Sequence, residues 1–285
     1  MDWIDRLNKA IAYIEEHITE EIDYEQIAGI ACCSSYHFQR MFAYLADVPL
    51  SEYIRRRRMS LAVADLQSGN QRIIDVALKY GYASPTAFNR AFQSVHGIAP
   101  SLVKVGGVSL KSFPPISFKI TVKGVEEMNF RIEMKGAFRI VGVAEPLEKE
   151  IEKNFEIVPK MWDKAAVNGT VQKLSAMMDS QPLGILGVCI GNDNAEDWRY
   201  IIAVATTQEA DASFYEYTVP AFTWAIFPGE GQCPGAIQEL EKQIITDWLP
   251  TSGYEYDNGP DIEVYLTPDP MNAKFEVWIP IKKKE

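Results

Sequence analysis

The spacing of apolar residues changes once along this chain, and that change rules out one continuous architecture. Up to about residue 104, hydrophobic residues recur at helical spacing; from about residue 125 they alternate. In "WIDRLNKAIAYIEEH", residues 3–17, Trp3, Leu7, Ala10, Ile11 and Ile14 share one helix face. In "DIEVYL" and "KFEVWIP" every second residue is apolar, the period of a pleated strand. Between the two regimes, "VGGVSLKSFPPISFKITVKG" carries a Gly pair and a Pro pair and reads as a linker with short extended pieces. A multidomain chain is expected: an all-α domain over 1–105, a linker over 106–124 and an α+β domain over 125–285.

The helical part repeats itself. "SSYHFQRMFAYL" at 34–45 returns as "ASPTAFNRAFQS" at 83–94, so Phe38-Gln39-Arg40-Met41-Phe42 matches Phe88-Asn89-Arg90-Ala91-Phe92. Asp23 with Gln26 three residues later opens a helix ahead of the first copy, and Ser84-Pro85 opens the second. A short helix, a tight turn and an amphipathic helix make a helix-turn-helix unit, whose second helix enters the major groove. In each copy the Phe pair anchors the helix while the amide and the Arg between them point away. Arg pairs bidentately with guanine, and Gln or Asn with adenine, which suits base reading. Arg55 to Arg58 lie on the connecting helix and suit phosphate contact. Cys32 occupies the turn position that Gly81 fills in the second unit, so strain is expected there. Adjacent Cys32 and Cys33 read as small structural residues rather than a redox pair.

Charge agrees with this division. The whole chain is at net −11, yet residues 26–124 hold twelve Lys/Arg against four Asp/Glu, and residues 125–285 hold fourteen against twenty-seven. Double-stranded DNA is therefore the expected partner of the first part.

The second part reads as strand, helix, two strands, and then the same again: a duplicated antiparallel sheet with helices on one face. Should Ile262, Val264 and Leu266 pack on those helices, Glu263, Tyr265 and Trp278 share the open face. Trp198 with Tyr200, and Phe222 with Trp224, alternate in the same way. A carboxylate among aromatic rings suits a flat, greasy, cationic small molecule. No catalytic triad, phosphate loop, dinucleotide fingerprint or metal-ligand spacing is evident, so no catalytic residue, metal or cofactor is expected. The chain shows no export signal and no run long enough to span a bilayer; a cytoplasmic protein with no membrane partner is expected.

Two resemblances sharpen these expectations. "IAGIACCSSYHFQRMF", "YIRRRRMSLA", "IIDVALKYGYASPTAFNRAF" and "HGIAPS" resemble the AraC/XylS DNA-binding domain over about residues 5–104. That resemblance implies two reading heads, transcriptional regulation and contact with RNA polymerase. Base-contact positions would be Tyr36, Gln39 and Arg40 in the first head and Thr86, Asn89 and Arg90 in the second, with Arg55 and Arg57 on phosphates. "GYEYDNGPDIEVYLTP" and "KFEVWIPIK" resemble the GyrI-like effector-binding domain over about residues 126–283, which makes Glu263 the ligand-facing acid. Other readings of that domain are a small-molecule hydrolase with Glu263 as general base, and an acidic decoy for a protein partner.

Overall fold

The computed structural model of the chain describes residues 3–68, 71–105, 107–119, 127–191 and 198–284. Its residues fall into two units: Met1–Cys32 with Ala46–Lys119, and Cys33–Leu45 with Ile120–Glu285. The helices of the first hundred residues are α1 (Trp3–Glu16), α2 (Tyr24–Ala31), α3 (Ser35–Ala46), α4 (Leu50–Ser68), α5 (Ile73–Lys79) and α6 (Pro85–His96), followed by a 3-10 turn at Pro100–Leu102. All but α3 belong to unit 1.

In unit 1 the apolar stripe of α1 is buried as its spacing predicts. Asp23 caps α2 by accepting from the N–H groups of Glu25 and Gln26. The helix stops at Cys32, which is left-handed with φ 59°, its N–H turned back onto the carbonyls of Ala28 and Gly29. Gly81 does the same work after α5 at φ 81°. A side chain in that conformation costs roughly 1 kcal/mol, and the Cys32 side chain is exposed. Cys32→Gly should therefore stabilise the fold by a net of about 0.5 kcal/mol once the greater freedom of glycine in the unfolded chain is subtracted, read as a higher urea midpoint.

Ser84 caps α6 through the Ala87 N–H, Pro85 sits in the first turn, and Gly97 closes the helix at φ 78°. Phe88, Phe92 and Val95 pack with Met59, Ala62 and Leu66 of α4 and Val76 and Ala77 of α5 in one buried cluster. The expected linker is, from residue 108 to 119, laid against this unit. Phe113 N–H donates to Ser60 Oγ at 2.9 Å, and Asn8 exchanges two hydrogen bonds with the main chain of Phe118. Residues 106 and 120–124 of that stretch lie outside the described residues.

The four arginines of α4 do not share one task. Successive helical residues turn by about 100°, so a run of four faces every side. Arg55 is exposed and pairs with Glu52. Arg57 is buried: its Nε and Nη2 hold Glu15, and Nη1 donates to the Phe113 carbonyl at 2.6 Å. Arg58 caps the carbonyls of Ile18 and Glu20. The expectation that Arg57 meets phosphate is corrected on this ground, because its guanidinium is already committed inside unit 1.

Unit 2 contains β1 (Arg131–Lys135), β2 (Phe138–Pro146), α7 (Ile151–Val167), α8 (Thr170–Met177), β3 (Ile185–Ile190), β4 (Arg199–Ala205), β5 (Tyr215–Val219), β6 (Phe222–Gly231), α9 (Gly235–Gln243), α10 (Leu249–Thr251), β7 (Tyr254–Tyr256), β8 (Asp261–Tyr265) and β9 (Ala273–Lys283), with a π turn at Ile244–Trp248 before α10. The strands form one antiparallel sheet in the order β1-β6-β9-β8-β3-β4-β2-β5, with β7 on β9. The order β6-β9-β8 mirrors β2-β4-β3, the duplication read from the sequence.

Connectivity then dictates curvature. β1 and β2 lie towards opposite ends of the strand order, yet residues 136–137 alone join them, and 220–221 likewise join β5 to β6. Two linking residues bridge about 10 Å at most, so the sheet must curl until its ends approach. Its inner face buries Ile140, Val188, Ile201, Trp224, Ile226, Ile262 and Trp278 in one cluster to which no helix contributes. The outer face carries α7 and α8 on one half and α9 with the π turn on the other.

Candidate functional site

Strand alternation puts Asp261, Glu263 and Tyr265 of β8 on the outer, helix-bearing face. Glu263 lies opposite Gly187 of β3 and opposite Val277 of β9. Gly187 is required there: a Cβ would stand 2.3 Å from the Tyr200 hydroxyl and 2.6 Å from Glu263 Oε2. The space it leaves lets both phenols reach the acid. Tyr200 donates to Glu263 Oε2 at 3.0 Å and Tyr265 donates to the same oxygen at 2.9 Å. Trp162 of α7 donates Nε1–H to the Tyr200 oxygen at 2.9 Å and stands edge-on to the Tyr265 ring, centroids 4.9 Å apart.

The electrostatics of this acid are unusual. Burial, and then the charge of Glu241, push the Glu263 carboxyl up to about 7, against the pull of the two phenols and of Arg40. Tyr200 and Tyr265 are both raised, first by burial and next by the Glu263 charge. The result is a partly buried carboxylate, aromatic on two sides, with no Lys or Arg hydrogen-bonded to it among the described residues.

Asp261 and Glu241 complete an acidic group. Both hold Arg40 of α3: Nη1 donates to Asp261 at 2.5 Å and Nη2 to Glu241 at 2.6 Å. Tyr44 donates to the other Glu241 oxygen at 2.6 Å, Tyr256 donates to Asp261, and His37 Nε2 lies 3.3 Å from Asp261. Burial alone would raise Asp261, but His37 and Arg40 hold it below its ordinary value. Arg40 is penalised by burial and nevertheless raised, chiefly by Glu241.

The residues expected from the sequence divide clearly. Glu263, Tyr265 and Tyr200 meet in one site. Trp198 shares their face but lies under Tyr36, ring centroids 5.2 Å apart. Trp224 and Trp278 do not join them. Trp278 stands opposite Ile226 and Ile262, so its ring belongs to the inner face, as does Trp224. Alternation within a strand is readable from sequence, whereas the cross-strand register that decides which faces coincide is not. For the same reason Glu263 lies on the helix side of the sheet rather than on an open face. Trp162, Glu241 and Tyr256 carry no local signal for the site in the sequence; Asp261 does, two residues before Glu263 on the same strand face.

Of the expected DNA-contact residues, Thr86 and Arg90 are exposed and Asn89 is half-buried, all on α6. Tyr36, Gln39 and Arg40 are engaged within unit 2. Gln39 donates to the Lys149 carbonyl at 3.0 Å, and the Tyr36 hydroxyl accepts from the Cys189 thiol at 2.6 Å. Among the described residues no group of three or more His, Cys, Asp or Glu could hold a metal, and no helix is long and apolar enough to cross a membrane.

Comparison with known proteins supplies the context. Residues 128–282 match the GyrI-like small molecule binding domain, and residues 27–104 match a helix-turn-helix domain. The HTH-type transcriptional activator AarP of Providencia stuartii is 36% identical over 99 residues, covering 35% of this chain and 73% of that protein. The regulatory protein SoxS of Escherichia coli (strain K12) is 35% identical over 91 residues, 32% of this chain and 85% of SoxS. A solved structure of SAV2435 bound to tetraphenylphosphonium aligns with a TM-score of 0.48 at 21% identity, over 54% of this chain and 94% of that one. The chain belongs to the GyrI-like small-molecule-binding family, joined on one polypeptide to an AraC-type helix-turn-helix region, and is a DNA-binding transcriptional regulator.

Proposed function

We propose that an organic cation with aromatic character is the effector of this regulator, that it binds at Glu263, and that its binding changes how the helix-turn-helix region engages DNA. The observation that carries this reading is the Glu263 carboxylate itself, which holds two phenols, backed by the Trp162 indole, but no hydrogen-bonded cation among the described residues. Such an acid gains both a charge partner and aromatic contact from a greasy cation, and gains far less from a neutral or anionic molecule. On the DNA side, Thr86, Asn89 and Arg90 would read bases from α6, and Tyr36, Gln39 and Arg40 from α3, with Arg55 on a phosphate. Control of transcription would then pass through RNA polymerase.

Calorimetry with tetraphenylphosphonium tests the effector half. The probe is permanently charged and carries four rings. The full chain should release heat on binding, and Glu263→Gln should weaken affinity by about tenfold or more, the scale of a lost charged contact. A flat trace with the wild-type chain would overturn the receptor reading and favour an acidic decoy for a protein partner.

A further inference from the structure

Two of the acids beside Glu263, Glu241 and Asp261, are already occupied, and by the protein's own α3. Between His37, Arg40, Met41, Glu241, Tyr256 and Asp261 there remains a cavity of about 20 Å³. Pockets for drug-sized ligands run to about 300 Å³ or more, so the space beside Glu241 and Asp261 cannot take an aromatic cation while α3 is in place. What fills the space is chemically a cation with aromatic rings. The Arg40 guanidinium lies 5.7 Å from the centroid of Tyr36 and 5.9 Å from that of Tyr44, and bridges Glu241 and Asp261.

The sheet is shaped for this occupant at more than one point. Gly191 has no side chain where the Tyr36 ring lies, and a Cβ there would fall 2.6 Å from the ring. The Tyr36 hydroxyl covers the Cys189 thiol. Gln39 is tied to the Lys149 carbonyl and Tyr44 to Glu241. Without Arg40, Glu241, Asp261 and Glu263 would crowd like charges into one low-dielectric space, which demands a replacement cation.

We propose that Glu241 and Asp261 form a cation seat whose resident ligand is Arg40, so that α3 is a tethered occupant that an effector cation must displace. The seat takes a guanidinium or a comparable organic cation. Its second half, the displacement, rests on the effector reading of Glu263. A cation from solution on Glu241 and Asp261 and the Arg40 of a seated α3 are mutually exclusive. An effector therefore frees Tyr36, Gln39 and Arg40, the very positions expected to read DNA, and should raise affinity for a specific operator rather than lower it.

Cys189 reports the state of α3 directly, because Tyr36 covers it. Burial pushes its thiol up to about 12, so it should react slowly in the resting chain. The full-length protein is treated with N-ethylmaleimide and the labelling rate of Cys189 is read by peptide mass spectrometry. Glu241→Gln and, separately, Arg40→Ala should each raise that rate by about tenfold or more, as should saturating tetraphenylphosphonium on the wild type. Circular dichroism and a thermal melt confirm that each variant is folded.

Unchanged Cys189 labelling in both folded variants would overturn the seat. Faster labelling in both variants, with no heat from tetraphenylphosphonium, would support the seat and sink the effector reading alone. Heat that Glu263→Gln abolishes, without faster Cys189 labelling, would overturn the displacement.

Discussion

Between pH 6 and pH 8 the affinity of the full chain for tetraphenylphosphonium should rise about tenfold, because a carboxyl titrating near 7 is mostly neutral at the first pH and mostly ionised at the second. The probe itself does not titrate. Asp261 is held below this window, and Tyr200, Tyr265 and Arg40 lie above it; the Glu263→Gln profile tells the acid's own contribution from that of His37 beside Asp261 and of Glu241 on Arg40. Glu263→Gln should flatten the profile at the weak end. The same group predicts an opposite effect on stability. Its folded value stands above the ordinary 4.5, so the folded state holds the proton more tightly than the unfolded one. The resulting cost is absent below about 4.5, grows as pH rises towards 7, and is complete above that. Glu263→Gln should therefore be more stable than wild type at pH 8, by about 2 kcal/mol after allowance for partial solvent access, and no more stable at pH 4. Urea titrations at the two pH values measure this. A variant that loses the ligand while gaining stability cannot be dismissed as misfolded. A pH-independent affinity in the wild type would show that the cation is not read by this acid.

Periodicity within an element was legible. The α1 stripe, the Ser84 cap, the left-handed Cys32 and the side of β8 shared by Asp261, Glu263 and Tyr265 all follow from spacing and local chemistry. Relations between elements were not. Trp278 and Glu263 sit on neighbouring strands with the same alternation, and only the register, Glu263 against Val277, shows that they face opposite ways. A run of arginines likewise reads as one feature, although helical twist sends Arg55 to the surface and Arg57 to the interior. Arg40 is the extreme case: its spacing from Phe38 and Phe42 marks an outward position on an amphipathic helix, and nothing local reveals the acids 201 and 221 residues further along the chain that receive it.

Arg57 yields the second large effect. Arg57→Met should destabilise unit 1 by about 3 kcal/mol, the lower end of the cost of breaking a buried ion pair, because Glu15 retains some solvent access. Three hydrogen bonds to Glu15 and one to the Phe113 carbonyl disappear together, leaving Glu15 with Tyr53. Burial would raise the Glu15 carboxyl, but Arg57 and Tyr53 outweigh it and hold the value down. The stability this contributes is present above the ordinary carboxylate range and fades as pH falls through the lowered folded value, so the gap between variant and wild type should narrow in acid. Glu15→Gln together with Arg57→Met removes both charges and should recover most of the loss, since the penalty comes from stranding one partner rather than from lacking the pair. DNA binding separates this role from phosphate contact. In folded protein, Arg55→Ala should lower the slope of log affinity against log salt by about one, and Arg57→Met should leave that slope unchanged. If Arg57→Met proved as stable as wild type and lowered the salt slope instead, the guanidinium would have to face the duplex. The extended stretch that reaches Phe113 would then be held to unit 1 by Ser60 and Asn8 without it.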